Sequence, residues 1–340
     1  MIETILAKQI YLLGLISAFI IGGILREEGY FAHFYTTLSS RLKNRKAVLG
    51  IMSILGGILP VEGRCSVSAP ILDSLVDKNS NGRKKMGVVD YISTHHYYLW
   101  SPIEPSVVIF MSALGISWLT FMQATIIHLL VYLGFFIALL IFYVNDEDIK
   151  FHEDNIPKDT RITSLPLILI IASVLLMIYD PKTFAFWHTF PFVAWFLWLT
   201  SSVSWLDALK FIKWPAVLMV GIIIALGTIA KSFNGEILQL VENSGFTVVG
   251  LLFAGATGAF FLGSSSKYAG LGAAMISVTS VTYLPLVVMA EFVGYLLSPI
   301  HKCLGISKMY FNTPIITFYK FLIPLSIAIL SAGGVTYILL

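Results

Sequence analysis

Two short polar stretches interrupt an otherwise apolar chain, and both carry side chains that could bind an ion. The first is Gly63-Arg64-Cys65-Ser66-Val67-Ser68-Ala69, and the second is Gly263-Ser264-Ser265-Ser266-Lys267-Tyr268-Ala269. Hydroxyls can donate to an anion or accept from a cation. Arg64 and Lys267 each add a positive charge. The set Gly63, Arg64, Cys65, Ser66, Ser68, Ser264, Ser265, Ser266 and Lys267 is therefore the expected binding site for a small anionic substrate. In the alternative, Arg64 pairs with Glu62, and Lys267 snorkels or pairs structurally.

A second group follows each stretch. Ser101-Pro102-Ile103-Glu104 lies in the first half and Ser298-Pro299-Ile300-His301 in the second. Proline removes a backbone donor and frees a carbonyl one turn earlier. Such carbonyls, with Ser101 and Ser298, suit Na⁺; a plain proline kink is the alternative. Asp90, His95, His96, Glu104, Glu291 and His301 supply carboxylates and imidazoles that could carry a proton. Asp90 is expected near the solvated start of its span. His95 and His96 project about 100° apart on a helix, so only one is expected to face the site. Glu62, Cys65, His95, His96, His301 and Cys303 are metal-ligand types, but no HExxH or ExxH spacing joins them. No metal and no cofactor beyond Na⁺ or H⁺ is expected. Cys65 or Ser66 as an enzyme nucleophile lacks a supporting motif, so the chain is not expected to be an enzyme.

The elements that must position these groups are membrane helices. Only 12% of the 340 residues are charged and 57% are apolar or aromatic, against about 25% charged in a soluble domain. A net charge of +3 gives no sign of nucleic-acid binding. Residues 9–25, 105–145, 162–179, 183–206, 214–230 and 321–340 are free of charge and read as span material, given that a crossing takes about 20 residues. Five of the seven tryptophans lie in 187–214, as in a lipid-interface belt or a dimer-facing scaffold.

Residues 47–76 and 246–280 do not fit simple crossings. Each is an apolar stretch with a polar middle, and both read as re-entrant helical hairpins. The shared pattern G-x-x-S-x-x-A recurs at an offset of 200 residues, and the Ser-Pro-Ile triplets recur at an offset of 197. Paired, interrupted apolar segments of this kind point to a transporter binding site. The fold expected is an all-α polytopic membrane protein with two inverted-topology repeats, each containing a re-entrant hairpin and a broken transmembrane helix. The first repeat spans 1–144, a cytoplasmic linker 145–161, two scaffold spans 162–206, and the second repeat 207–340. In this arrangement the basic residues within 26–46, 78–85, 150–161, 210–213 and 302–320 share one face. Only Lys8, Lys182 and Lys231 fall on the other, which makes the first face cytoplasmic and leaves both termini outside.

The stretches Gly57-Ile-Leu-Pro-Val-Glu-Gly63…Ser68-Ala-Pro70 and Tyr295-Leu-Leu-Ser-Pro-Ile-His-Lys-Cys-Leu304, followed by Tyr310-Phe311, carry a resemblance. Over roughly residues 9–340 the chain resembles the ion-transporter superfamily, which includes citrate, dicarboxylate, gluconate and arsenite permeases. Within it the chain is most similar to an uncharacterised prokaryotic integral membrane family. It departs from the pattern at Arg64, where a second glycine is usual, and it has few scaffold spans before the first hairpin. The resemblance implies secondary transport of a small carboxylate or oxyanion, coupled to Na⁺ or H⁺, by a homodimer with an elevator-like motion in a prokaryotic inner membrane. A cation or metal transporter, or an intramembrane enzyme, remains the alternative.

Overall fold

The computed structural model describes residues 10–28, 41–58, 65–73, 75–76, 81–102, 104–149, 186–212, 248–263 and 280–339, with isolated positions between. Among these residues every named element is helical. In chain order we label α1 (Tyr11–Glu27), α2 (Arg45–Ile58), α3 (Cys65–Asp73), α4 (Asn81–Ser93), α5 (Pro105–Leu114), α6 (Trp118–Phe142), α7 (Phe186–Thr200), α8 (Trp205–Lys210), α9 (Val248–Leu262), α10 (Leu284–Leu297), α11 (Lys302–Phe311) and α12 (Ile315–Leu339). Three helical stretches are long and apolar enough to cross a membrane: Trp118–Phe142, Val281–Phe311 and Ile315–Ile338.

Over an apolar 18-residue window, 33% of positions are buried in the first and third of these stretches, against 78% in Val281–Phe311. The outer faces of α6 and α12 present Leu130, Ile137, Phe142, Ile323 and Ile327. Apolar side chains on the outside and a buried, broken segment inside is the arrangement expected of a chain whose solvent is lipid. The uncharged run 105–145 accounts for α6 and the run 321–340 for most of α12, which begins at Ile315 and carries one charge, Lys320; both helices continue for 25 residues.

A helical segment is interrupted near each Ser-Pro sequence. In the first half α4 stops at Ser93, a 3₁₀ turn covers His96–Leu99, and α5 restarts at Pro105, which occupies the first helical position. In the second half α10 stops at Leu297, Ser298 is extended, and α11 restarts at Lys302. The two broken segments run antiparallel. Tyr98 bonds Tyr295, His95 faces His301, and Asp90 bonds Ser307, so numbers rise along one segment as they fall along the other.

Arg45 and Val76 come together at Ile149. The Arg45 guanidinium donates to the Ile149 carbonyl at 3.1 Å, and Val76 bridges to the same Ile149. Helices α2 and α3 pack on each other between these points. In the second half Gly294 sits against Ala256, and one turn later the Ser298 hydroxyl donates to the Phe260 carbonyl at 2.6 Å. Helices α9 and α10 therefore run parallel.

Arg83 ties this framework together on the side where α4 begins. Its Nε donates to Asp73 at 2.8 Å, its Nη2 donates to the Tyr310 carbonyl at 2.9 Å, and its guanidinium lies 6.0 Å from the Phe311 ring centroid. The pair is only part-buried, so its Coulomb contribution is screened. Most of the effect lies in the fork geometry and the ring contact. Arg83→Ala is expected to cost about 1–2 kcal/mol, read as a lowered thermal midpoint in detergent, with Arg83→Lys recovering less than half. An unchanged midpoint would remove Arg83 from the framework.

Candidate functional site

The antiparallel crossing gathers buried polar side chains from both halves of the chain, Asp90, His95, His301 and Ser307 among them. Asp90, on α4, is fully buried. Its Oδ1 accepts from Ser68 of α3, and its Oδ2 accepts from Ser307 of α11 at 2.5 Å. A carboxylate in apolar surroundings is tolerable only when its oxygens have donors, and here the donors come from both halves of the chain. The expectation of a solvated Asp90 is corrected: α3 and α11 close over it.

One turn along, Thr94 donates to the Asp90 carbonyl at 2.7 Å and contacts the Cys65 thiol at 3.3 Å. His95 Nδ1 lies 2.5 Å from the Tyr91 carbonyl, and its Nε2 lies 3.3 Å from Nε2 of His301. Tyr91 donates its hydroxyl to the Leu296 carbonyl at 2.8 Å and contacts His301 Nδ1 at 2.8 Å. The rings of Tyr91, Tyr98 and Tyr295 wall the imidazole pair, with Tyr295 centred 3.9 Å from His301. His96 turns away: its Nδ1 accepts from the Trp100 indole at 2.9 Å, and its Nε2 lies 3.4 Å from the Ile54 carbonyl. Only His95 of the adjacent pair belongs to the cluster.

The helix ends at the breaks already have protein donors. The Leu297 carbonyl accepts from Tyr319 at 2.9 Å, the Leu296 carbonyl from Tyr91, and the Trp100 carbonyl from the Trp118 indole at 2.6 Å. These contacts satisfy groups that a helix terminus leaves without intrahelical partners. Ser101 and Ser298 are buried beside the breaks, with Pro102 buried and Pro299 exposed.

A family model described as "Protein of unknown function (DUF401)" matches residues 4–339. The chain belongs to that family. No match is found among curated proteins.

In this DUF401 chain a second polar locus lies farther along the broken segments. Glu104 and Glu291 are both buried. Ser106 donates to Glu104 Oε1 at 3.3 Å and lines a small cavity with Tyr98, Phe110, Phe121, Val288, Glu291 and Phe292. Glu291 Oε1 has no hydrogen-bond partner among the described residues.

Of the expected anion-binding residues, Cys65 and Ser68 are in the first cluster. Ser66 lies on α3, with its side chain outside the described residues. Gly63, Arg64, Ser264, Ser265, Ser266 and Lys267 also lie outside them. Sequence reasoning missed Tyr91, Thr94 and Ser307, and considered Cys303 only as one ligand type among several. The His301-x-Cys303 spacing was visible. Its partner across the fold was not.

Proposed function

We propose that this protein is a secondary transporter that moves a small anion across a prokaryotic inner membrane, coupled to H⁺ or Na⁺. The observation that carries this reading is the antiparallel crossing of two broken segments that buries Asp90, His95, His301 and Ser307 between the two halves. Ionisable groups inside a membrane helix bundle are costly and mark ion pathways. An antiparallel pair of like segments is what two inverted repeats would place at a substrate site. The return of 45–76 to Ile149, and the parallel course of α9 and α10, support a re-entrant hairpin in each half.

The chemistry follows from charge. The hairpin tips would hold the anion, with Arg64 and Lys267 offsetting its charge and the serines orienting it. Asp90 and the Glu104–Glu291 locus would take the cation. A buried carboxylate is stabilised when a cation neutralises it, so ion and substrate favour the same closed state. Coupling requires that both bind this state more tightly than the open one. The hairpin regions would then move against α7 and its neighbours in an elevator-like step within a homodimer.

Uptake of radiolabelled dicarboxylates and oxyanions into proteoliposomes tests this. With a Na⁺ or pH gradient imposed, wild-type protein is expected to accumulate one of these anions. Arg64→Ala and Lys267→Ala are each expected to reduce uptake by about tenfold or more, corresponding to about 1.4 kcal/mol or more of lost substrate binding. Wild-type uptake in both variants would reject the anion site, and accumulation without either gradient would reject coupling.

A further inference from the structure

The two imidazoles at the crossing can be assigned their protons. The Tyr91 carbonyl only accepts, so the proton of His95 sits on Nδ1. The Leu296 carbonyl also only accepts, so it takes the Tyr91 hydroxyl proton. The Tyr91 oxygen is then the acceptor for a proton on His301 Nδ1. Both neutral rings are left with bare Nε2 lone pairs, and these two atoms face each other at 3.3 Å. Lone pairs so placed repel unless a donor or a positive centre lies beside them; the Cys303 thiol, in hydrogen-bonding range of both rings, is one such donor, and a metal ion that replaces its proton is the other.

A proton shared there would leave a charged imidazolium in an apolar interior. A metal ion fits the geometry better. Zinc–nitrogen bonds of about 2.0–2.1 Å at a tetrahedral angle put two nitrogens about 3.3–3.4 Å apart. Cys303 supplies a third ligand: its sulfur and the two imidazole nitrogens lie within 4.8 Å of one another, and all three residues are buried. Bringing the sulfur to bonding distance takes a side-chain shift of about 1 Å. The Cys65 thiol is in interaction range of Cys303 but lies outside this three-residue group, so it would have to turn toward the imidazoles to become the fourth ligand.

We propose that His95, His301 and Cys303, with Cys65 as fourth ligand, bind one soft transition-metal ion of the Zn²⁺ class, and that the ion fastens the two broken segments together. Two thiolates and two neutral imidazoles leave a divalent site with no net charge, which suits its burial. The thiols release two protons as the ion enters. Thiolate and imidazole select Zn²⁺ or copper over Na⁺, Mg²⁺ or Ca²⁺. The outer ring nitrogen of His95 meets a backbone carbonyl, a usual partner of a metal-bound histidine, and that of His301 meets the Tyr91 hydroxyl, which can accept in the same way. Cys65 and His95 come from the first half, His301 and Cys303 from the second, so the ion would join residues about two hundred apart in sequence. The site stands independently of anion transport.

The full chain, purified in detergent under a thiol reductant and stripped with chelator, is titrated with Co²⁺. We expect one Co²⁺ per chain, with thiolate-to-cobalt charge-transfer absorption and tetrahedral visible bands that Zn²⁺ abolishes and excess Mg²⁺ does not. His301→Ala and Cys303→Ser should lose these bands, and Tyr91→Phe should weaken binding by about 10–100-fold. Because a variant at this depth could fail to fold, wild-type protein gives a second reading. Zn²⁺ should slow maleimide labelling of its two cysteines by about tenfold or more, reversibly with chelator. The proposal is overturned if wild-type protein shows no thiolate–cobalt band and Zn²⁺ leaves labelling unchanged. It is equally overturned if a folded His301→Ala/Cys303→Ser double variant binds Co²⁺ with the wild-type spectrum.

Discussion

Gly294→Val is expected to abolish the folded protein, giving aggregated material in size-exclusion chromatography where the wild type runs as a single peak. A Cβ on residue 294 would lie 2.0 Å from the Ala256 carbonyl oxygen and 2.8 and 2.9 Å from its carbonyl carbon and Cα. All three atoms are backbone, so no rotamer change makes room. Helices α9 and α10 would have to separate. The hydrogen bond from Ser298 to the Phe260 carbonyl, one turn further on, would then be lost where α10 must stop. Small residues let membrane helices approach closely, and that packing replaces the hydrophobic drive that lipid cannot supply. Inserting one methyl into such a contact costs about 1–3 kcal/mol. The two further methyls of valine take the cost beyond that, against a total stability of about 5–15 kcal/mol. Gly294→Ala should therefore fold with a clearly lowered thermal midpoint. Gly305→Ala, on α11 with nothing among the described residues within 4 Å of its new methyl, should be neutral or raise it, by up to about 1 kcal/mol of helix propensity. A Gly294→Val protein with the wild-type midpoint would show that α9 and α10 do not pack in this register.

The difference between Gly294 and Gly305 shows what could be read from the sequence. Both are glycines inside helices, and local spacing gives no reason to distinguish them; only the neighbouring helix does. The elements themselves were legible where one physical rule decided them. The uncharged runs gave α6 and most of α12, and the Ser-Pro sequences marked the two interrupted segments, although α4 already stops at Ser93, before Pro102 is reached. His95 and His96 do diverge, but at the 3₁₀ turn that follows α4 rather than along one helix. What could not be read was which residues meet. Asp90 finds Ser307 and His95 finds His301 only because the two broken segments run antiparallel, and no local pattern encodes contacts across more than two hundred residues. The solvated position expected for Asp90 failed for that reason: its own span begins near a charged end, but α3 and α11 cover it.

Asp90→Asn is expected to leave the protein folded and to reduce ion-driven anion accumulation to background, a loss of about 100-fold or more. Each carboxylate oxygen of Asp90 accepts from one serine, Ser68 on one side and Ser307 on the other. Asparagine keeps the volume and one acceptor. Its amide can donate to the serine oxygen on the other side, because a hydroxyl also accepts. The contacts between α3, α4 and α11 therefore survive, while the negative charge that would take H⁺ or Na⁺ is gone. Without it the loaded and empty states no longer differ in charge, and an ion gradient has nothing to act on at this position. Asp90→Ala should behave differently. It removes both acceptors, strands two buried hydroxyls and opens a void, and each stranded group costs about 1–3 kcal/mol. Its thermal midpoint should fall well below that of Asp90→Asn. The pair separates packing from coupling: a structural Asp90 would leave Asn with full gradient-driven uptake, whereas a coupling Asp90 would leave Asn stable, able to bind the anion and unable to concentrate it. Binding of the same labelled anion to detergent-solubilised Asp90→Asn, measured beside uptake, decides between these outcomes.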